Sequence, residues 1–256
     1  MDRDESLVAG WYGKIPSLGD FASRRLPASF IKAWDLWLQH GMAASRAQLR
    51  ERWLNLYLTG PIWRFVVMPG VCSGEPSLWA GVLMPSVDKV GRYFPLTIAL
   101  RLEPRPGAML TVFSAQSWFA DLERLALATL DINVLPEELD RSLAENPFPA
   151  PEPGRNRSNA QELAAWWQAG EETGTPKALA LPTAHSLADL FDATAEDLLY
   201  ITGSGKSFWW AVSPKAGPTQ LRCFTGLPPE NYFSSMLEDT APYKNANDFP
   251  IVTVKS

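Results

Sequence analysis

The chain has 256 residues, of which 46% are hydrophobic and 20% are charged, and its net charge is −5 at pH 7. This composition is typical of a folded globular protein with a sizeable core. The acidic balance, with a pI of about 5.2, excludes the overall basic character typical of nucleic-acid binding, so we expect no nucleic-acid partner. The two cysteines and two histidines lack metal-ligand or disulfide spacing, and we expect no metal site, no cofactor and no disulfide framework.

The N-terminal residues 1–6 contain no apolar signal core, and no run of 18 apolar residues occurs in the chain. We therefore expect a cytoplasmic protein without membrane insertion. The eleven tryptophans are the one unusual feature of the composition. Most of them fall on helical or strand-like apolar patterns, which favours a role in the core, with a tryptophan-rich recognition surface as the alternative.

The first half of the chain predicts helices and strands along one sheet. A helix from Pro27 to Gly41 and a second helix from Ser45 to Gly60 each carry apolar side chains on one face. A further helix at residues 115–130 has an apolar face that fits against a sheet. The predicted strands are residues 10–16, 62–68, 78–84 and 93–102.

The proline-rich segment 146–159 divides the chain, because four prolines at alternate positions preclude a helix or a central strand. We therefore predict an N-terminal region at 1–145, an extended connection at 146–159, and a C-terminal α/β extension at 160–256 that packs on the same sheet. The elements predicted beyond the break are helices at 159–169, 186–192 and 229–238 and strands at 177–181, 198–202, 208–213 and 220–224.

Helices and strands are interspersed along the whole chain, and several of the strands lack a polar face. Strands without a polar face are covered on both sides by other elements. The sequence therefore predicts an α/β fold with a mixed central sheet and helices on both faces, a three-layer sandwich.

Two polar loops carry the side chains that point to a functional site. One loop follows the first strand, and the other separates the apolar runs that end at Met84 and begin at Tyr93. If the loops lie side by side, they form a mixed-charge patch on a stiff scaffold, which is where binding usually occurs. Because the patch has no histidine base, metal-ligand set or phosphate cradle, it suits protein recognition. The candidate partner-binding residues are Lys14, Ser17, Asp20, Arg24, Ser86, Asp88 and Arg92.

The same residue types also suit a purely structural role. Asp88 is placed to accept hydrogen bonds from the N–H groups of its own loop, with Arg92 clamping its carboxylate bidentately. Asp20 is placed to pair with Arg24 or to cap a helical turn. Both interpretations of the loops stay open from the sequence.

Two segments resemble catalytic motifs. Thr202-Gly-Ser-Gly-Lys-Ser207 ends like a phosphate-binding P-loop, but Tyr200 stands where the pattern requires glycine, and a strand is predicted where it requires a helix. We interpret this segment as a hairpin turn. Gly70-Val-Cys-Ser-Gly74 matches the cysteine form of a hydrolase nucleophile elbow, but again a strand follows instead of a helix. A hydrolase using Cys72, or a nucleotide-binding protein using the Gly203–Lys206 turn, is therefore the alternative to a protein without catalytic activity.

Several longer motifs resemble those of a known family. They are Gly10-Trp-Tyr-Gly-Lys-Ile-Pro-Ser-x-Gly-Asp-Phe21, Trp34-Asp35-x-Trp37-Leu38, Trp79-Ala-Gly-Val-Leu-Met-Pro-Ser-Val-Asp88 and Val90-Gly-Arg-Tyr-Phe-Pro-Leu96. About residues 10–130 of the chain resemble the N-terminal region of the TagF family, which is also called ImpM. The resemblance implies a cytoplasmic, non-enzymatic accessory protein of the type VI secretion system. It further implies post-translational repression of system assembly through a forkhead-associated scaffold protein of the same system.

Overall fold

A seven-stranded sheet forms the centre of the fold within residues 7–72, 76–103, 108–149, 187–211 and 220–238, which the computed structural model describes. The strands are β1 Gly10–Gly13, β2 Ala22–Arg24, β3 Trp63–Val67, β4 Leu78–Met84, β5 Leu96–Leu102, β6 Lys206–Trp210 and β7 Arg222–Thr225. Their order across the sheet is β2-β1-β5-β4-β3-β6-β7, and each neighbouring pair is antiparallel.

Helices cover both faces of this sheet. They are α1 Ala28–Leu49, α2 Trp53–Leu58, α3 Ala108–Ser114, α4 Gln116–Ala128, α5 Pro136–Glu145, α6 Leu187–Gly203 and α7 Phe233–Glu238, with short 3-10 helices at Arg50–Arg52 and Glu230–Tyr232. One apolar core lies between the sheet and α3, α4 and α5, and a second lies between the sheet and α1, α2 and α7. The described helices do not include one with the length and hydropathy of a membrane span.

The alternation of side chains along each strand separates the two cores. Phe65 on β3 and Trp209 on β6 face α1, whereas their neighbours Val66 and Trp210 face α4. The predicted α/β fold with helices on both faces is therefore confirmed. The sequence predicts a mixed sheet, but every pair of neighbouring strands is antiparallel. Short connections such as that between β3 and β4 join adjacent strands in opposite directions.

The tryptophans in the described part of the chain are core residues. Trp11, Trp34 and Trp209 are fully buried, and the others described are at most 8% exposed. The expectation that most tryptophans fill the core is confirmed, and in the described residues their rings do not form a recognition surface.

The two helices predicted between Pro27 and Gly60 are wrong in their boundaries, because α1 runs without a break through Gly41 and Ser45. A Cβ atom at Gly41 would lie 2.5 Å from the ring of Phe233, so the glycine allows α7 to pack closely and does not end the helix. Ser45 is not a cap either: it accepts a hydrogen bond from Nε1 of Trp53 at 2.9 Å inside the core. The chain turns instead at Arg50, whose φ is +48°.

The predicted strand at 198–202 is also wrong, since these residues form the last turns of α6. A short apolar run fits a buried helix as well as a strand, and here the helical hydrogen bonds prevail. The side-chain hydroxyl of Thr202 also donates to the carbonyl of Leu198, one helical turn earlier, at 2.7 Å. The helix and strand predicted at 159–169 and 177–181, and Pro151 and Pro153 of the proline-rich segment, lie outside the described residues. Beyond them, β6 pairs with β3 and β7 pairs with β6 in the same sheet.

Candidate functional site

Two loops meet at one end of three neighbouring strands, where β1 and β4 end and β5 begins. We call residues 14–21 and 85–95 together the loop pair. The antiparallel register places Tyr12 opposite Thr97 and Met84 opposite Leu96, which brings the loops side by side. The backbone N–H of Lys89 donates to the carbonyl of Leu18 at 2.8 Å, so the two loops are joined directly.

The carboxylate of Asp88 organises the loop pair. Its Oδ2 atom accepts from Nζ of Lys14 at 2.9 Å and from Nε of Arg92 at 2.7 Å. Its Oδ1 atom accepts from the backbone N–H groups of Val90 at 3.0 Å and Arg92 at 2.8 Å. The expectation that Asp88 satisfies the N–H groups of its loop is confirmed.

The Lys14–Asp88 ion pair is buried, with the two residues 4% and 3% exposed. Burial by itself would raise the pKa of Asp88, but the Lys14 ammonium and the hydrogen bonds from Arg92 and Val90 outweigh it and hold the pKa well below its usual range. The carboxylate is therefore ionised throughout the neutral range. Lys14 and Asp88 connect the loops from inside and are not presented at the surface.

An aromatic ring covers this ion pair. The Phe21 ring lies 4.7 Å from Nζ of Lys14 and packs edge-on against Phe94, with 4.7 Å between the ring centroids. Tyr12 also stacks on the Phe21 ring, with 5.9 Å between the ring centroids, and Phe21 remains 44% exposed. A half-exposed ring over a cation is a favourable contact in itself, and it also forms part of the outer surface of the loop pair.

Arg92 links the buried ion pair to solvent. The bidentate contact of its guanidinium with Asp88 that the sequence predicts is wrong. Nε of Arg92 donates to Asp88, but another guanidinium nitrogen donates to the carbonyl of Gly19 in the other loop. The same nitrogen lies 3.8 Å from Oδ1 of Asp20, so Asp20 pairs with Arg92 and not with Arg24. The side chains of Arg92 and Asp20 are 55% and 81% exposed, so these two candidates lie where a partner can reach them.

The two candidate serines face inward. The hydroxyls of Ser17 and Ser86 are buried and have no hydrogen-bond partner among the described residues. The backbone of Ser86 is held by Tyr57, whose hydroxyl accepts from the Ser86 N–H at 3.0 Å and donates to the Ser86 carbonyl at 2.9 Å. This places Ser86 in the scaffold of the loop.

Arg24 lies apart from the loop pair, contrary to its grouping with the other candidates. Its Nε is 3.5 Å from Asp140 on α5, and Arg25 and Nε1 of Trp11 each contact the same carboxylate at 2.9 Å. Asp140 therefore ties α5 to β1 and to the end of β2. No local sequence pattern predicts this contact, since 115 residues separate Arg25 from Asp140.

Sequence reasoning missed two apolar members of the exposed surface. Val90 is 68% exposed in one loop of the pair, and Phe21 is 44% exposed in the other. Both are apolar residues next to charged ones, at Asp20-Phe21 and Lys89-Val90, but the same loops contain other apolar residues that are not exposed to this degree. Together with Asp20 and Arg92 they form what we call the rim of the loop pair, an exposed surface of mixed charge with apolar centres.

Residues 10–146 match the model of the TagF N-terminal domain, described as type VI secretion system-associated. The chain belongs to the TagF family. It is also similar to PA0076 from Pseudomonas aeruginosa PAO1, a crystal structure with 33% sequence identity and a TM-score of 0.69. That similarity covers 96% of this chain and 100% of PA0076. No curated protein matches the chain significantly.

The TagF domain match encloses the whole loop pair. It contains β1 to β5 and α1 to α5, so the rim and the buried Lys14–Asp88 ion pair both belong to the family-defining part of the chain. Strands β6 and β7 lie outside the matched residues, although β6 pairs with β3 within the same sheet. Of the two segments that resemble catalytic motifs, only the one at Cys72 lies inside the TagF match.

In their described residues, neither of those segments provides what its motif requires. Cys72 is 1% exposed, and burial raises the pKa of its thiol to about 12, so the reactive thiolate is scarce at neutral pH. The segment from Gly203 to Lys206 joins the end of α6 to the start of β6. It is a helix-to-strand connection and not the hairpin turn predicted. A P-loop has the reverse order, because the phosphates need the N–H groups at the start of a helix.

Proposed function

We propose that the chain is a cytoplasmic accessory protein that represses assembly of the type VI secretion system after translation. It acts by binding a forkhead-associated scaffold protein of the same system, and not by catalysis. The observation that carries the proposal is the TagF domain match over residues 10–146, which associates the chain with the secretion system. The buried position of Cys72 argues against a nucleophilic thiol at this site.

The rim of the loop pair is the contact surface that we propose for this partner. Val90 and Phe21 offer apolar contacts, and Asp20 and Arg92 offer charges that fix the orientation of a bound protein. The buried Lys14–Asp88 ion pair holds both loops in place from below. Preorganised loops lose little conformational entropy on binding, which favours affinity.

The test combines purified components with secretion by intact cells. The purified chain and the purified scaffold protein should form a complex that is measurable by isothermal titration calorimetry. In cells, deletion of the gene should raise secretion and overproduction should lower it. Absence of a complex, together with unchanged secretion in both strains, would contradict the proposal.

The rim is tested by a double variant that leaves the buried ion pair intact. Asp20→Ala/Val90→Ser removes two exposed side chains, and we expect the affinity for the scaffold protein to fall about tenfold, equivalent to about 1.4 kcal/mol. Arg52→Ala is the matched control, because Arg52 is 69% exposed and forms a surface ion pair with Glu238. Equal binding by both variants and the unmodified chain would remove the rim from the proposed interface.

A further inference from the structure

Four large apolar side chains are exposed together where α4 leads into α5. Leu127, Leu130, Ile132 and Leu135 are each between 46% and 55% exposed, and they fall within nine consecutive residues. We call residues 127–135 the apolar turn. Exposed apolar residues scattered singly are ordinary, but four of them within one short segment are typical of an interaction surface.

The fold of the domain does not need these four side chains. On α4 the core is made by Trp118, Phe119, Leu122 and Leu125, and on α5 by Leu139 and Leu143. The apolar turn is nevertheless ordered, because the N–H of Val134 donates to the carbonyl of Asp131 at 3.0 Å. The N–H of Asn133 also donates to Oδ1 of Asp131 at 2.9 Å. The exposed leucines therefore sit on a backbone that is already fixed before any partner binds.

The surroundings of the apolar turn are acidic. Between Arg124 and Arg141 the chain contains four acidic residues and neither lysine nor arginine. Arg124 pairs with Asp121 at 3.2 Å, so its charge is offset on α4. Asp140 is engaged by Trp11, Arg24 and Arg25, which leaves Asp131, Glu137 and Glu138 as the exposed acids around the turn.

This charge distribution selects among possible occupants. A second copy of the chain in a two-fold contact would place these acids against the same acids, which is unfavourable. An anionic lipid surface would be repelled for the same reason. A partner with apolar side chains flanked by lysine or arginine complements both the leucines and the acids.

We propose that the apolar turn is a second docking surface, which receives a basic amphipathic segment of a protein partner. Apolar side chains of that segment seat on Leu130 and Ile132, and its cations face Asp131 and Glu137. The inference rests on the proposed function in one respect, namely that the partner is the forkhead-associated scaffold protein. It adds a surface separate from the rim and states the chemistry of the segment that binds there.

The experiment measures binding of the full chain to the purified scaffold protein by isothermal titration calorimetry. Leu130→Ser/Ile132→Ser removes the apolar centre, and Glu137→Lys reverses one of the acids around the apolar turn, in the first turn of α5. Leu54→Ser/Leu58→Ser is the matched control, because these leucines are also exposed on a helix, at 42% and 59%. Thermal unfolding of each variant verifies that the fold is retained.

We expect at least a tenfold loss of affinity for Leu130→Ser/Ile132→Ser and a smaller loss for Glu137→Lys, with affinity unchanged in the control. The affinity of the unmodified chain should also fall as salt is raised, and less steeply for Glu137→Lys. Unchanged affinity of both turn variants, with binding by the unmodified chain intact, would overturn this inference and leave the proposed function standing. Failure of the unmodified chain to bind the scaffold protein would overturn both.

Discussion

The ammonium nitrogen of Lys14 lies 2.9 Å from Oδ2 of Asp88, and this contact joins two loops that are 74 residues apart in sequence. The pair is buried below the ring of Phe21. A buried ion pair is costly to form, and it persists here because Arg92 and the N–H of Val90 supply further hydrogen bonds to the carboxylate. The position of the rim therefore depends on charges that do not themselves reach the surface.

Asp88→Asn should destabilise the protein by about 2 to 3 kcal/mol, because it leaves the buried Lys14 ammonium without a counter-charge. The free energy of unfolding, measured by urea denaturation, checks this. Asp20→Asn is the control, since Asp20 is 81% exposed and its pairing with Arg92 should be worth little. An equal and small loss in both variants would show that the buried pair does not stabilise the loops. The double variant Lys14→Met/Asp88→Asn should recover part of the loss.

The stability contributed by Asp88 should depend on pH in the acid range. Because the folded protein holds the pKa of Asp88 below the unfolded value of about 3.9, the unfolded state binds the proton more tightly. The contribution is therefore complete above that unfolded pKa and is lost as the pH falls through the folded pKa. Unfolding free energies measured between about pH 2 and pH 7 should fall more steeply towards acid for the unmodified chain than for Asp88→Asn. Parallel curves would contradict the depressed pKa.

Asp140→Ala should loosen α5 from the first two strands. It removes the acceptor of Nε1 of Trp11 and the partner of Arg25, and Trp11 is fully buried, so its N–H would lose its hydrogen bond. We expect a loss of about 1 to 3 kcal/mol in the free energy of unfolding. Asp121→Ala removes only an exposed pair with Arg124 and should change the stability by less than about 1 kcal/mol. Similar losses in the two variants would exclude a special role for Asp140.

Gly41→Ala should destabilise the protein although alanine favours a helix. The added methyl group would lie 2.5 Å from the Phe233 ring and would push α7 away from α1. Overpacking of this kind costs about 1 to 3 kcal/mol, against a gain of about 1 kcal/mol in helix propensity. Thermal unfolding measures the balance. Phe233→Leu combined with Gly41→Ala should show coupling in a double-mutant cycle, and additive effects would place the strain elsewhere.

The helices and strands that could be predicted from sequence are those with a clear local pattern. Strand β4 was predicted at its observed bounds, residues 78–84, because a buried run between turn residues has one good interpretation. The long motifs around Gly10 and Asp88 identified the family. The helix end predicted at Gly41 and the helix start predicted at Ser45 are wrong. A glycine and a capping-box serine are typical of helix boundaries, but here Gly41 packs against Phe233 and Ser45 accepts a hydrogen bond from Trp53. Phe233 lies almost 200 residues after Gly41, so no local pattern records the packing between them.

The amino-acid sequence by itself determined the α/β class, the separation into polar loops and apolar strands, and the membership of the TagF family. Only the tertiary structure decided which of the loop residues are exposed. Asp20 and Asp88 are both loop carboxylates in sequence, yet one is in solvent and the other is enclosed by Lys14, Arg92 and backbone N–H groups. The physical reason is that burial and ion pairing are set by the contacts between the two loops, whereas composition and periodicity act along a single segment.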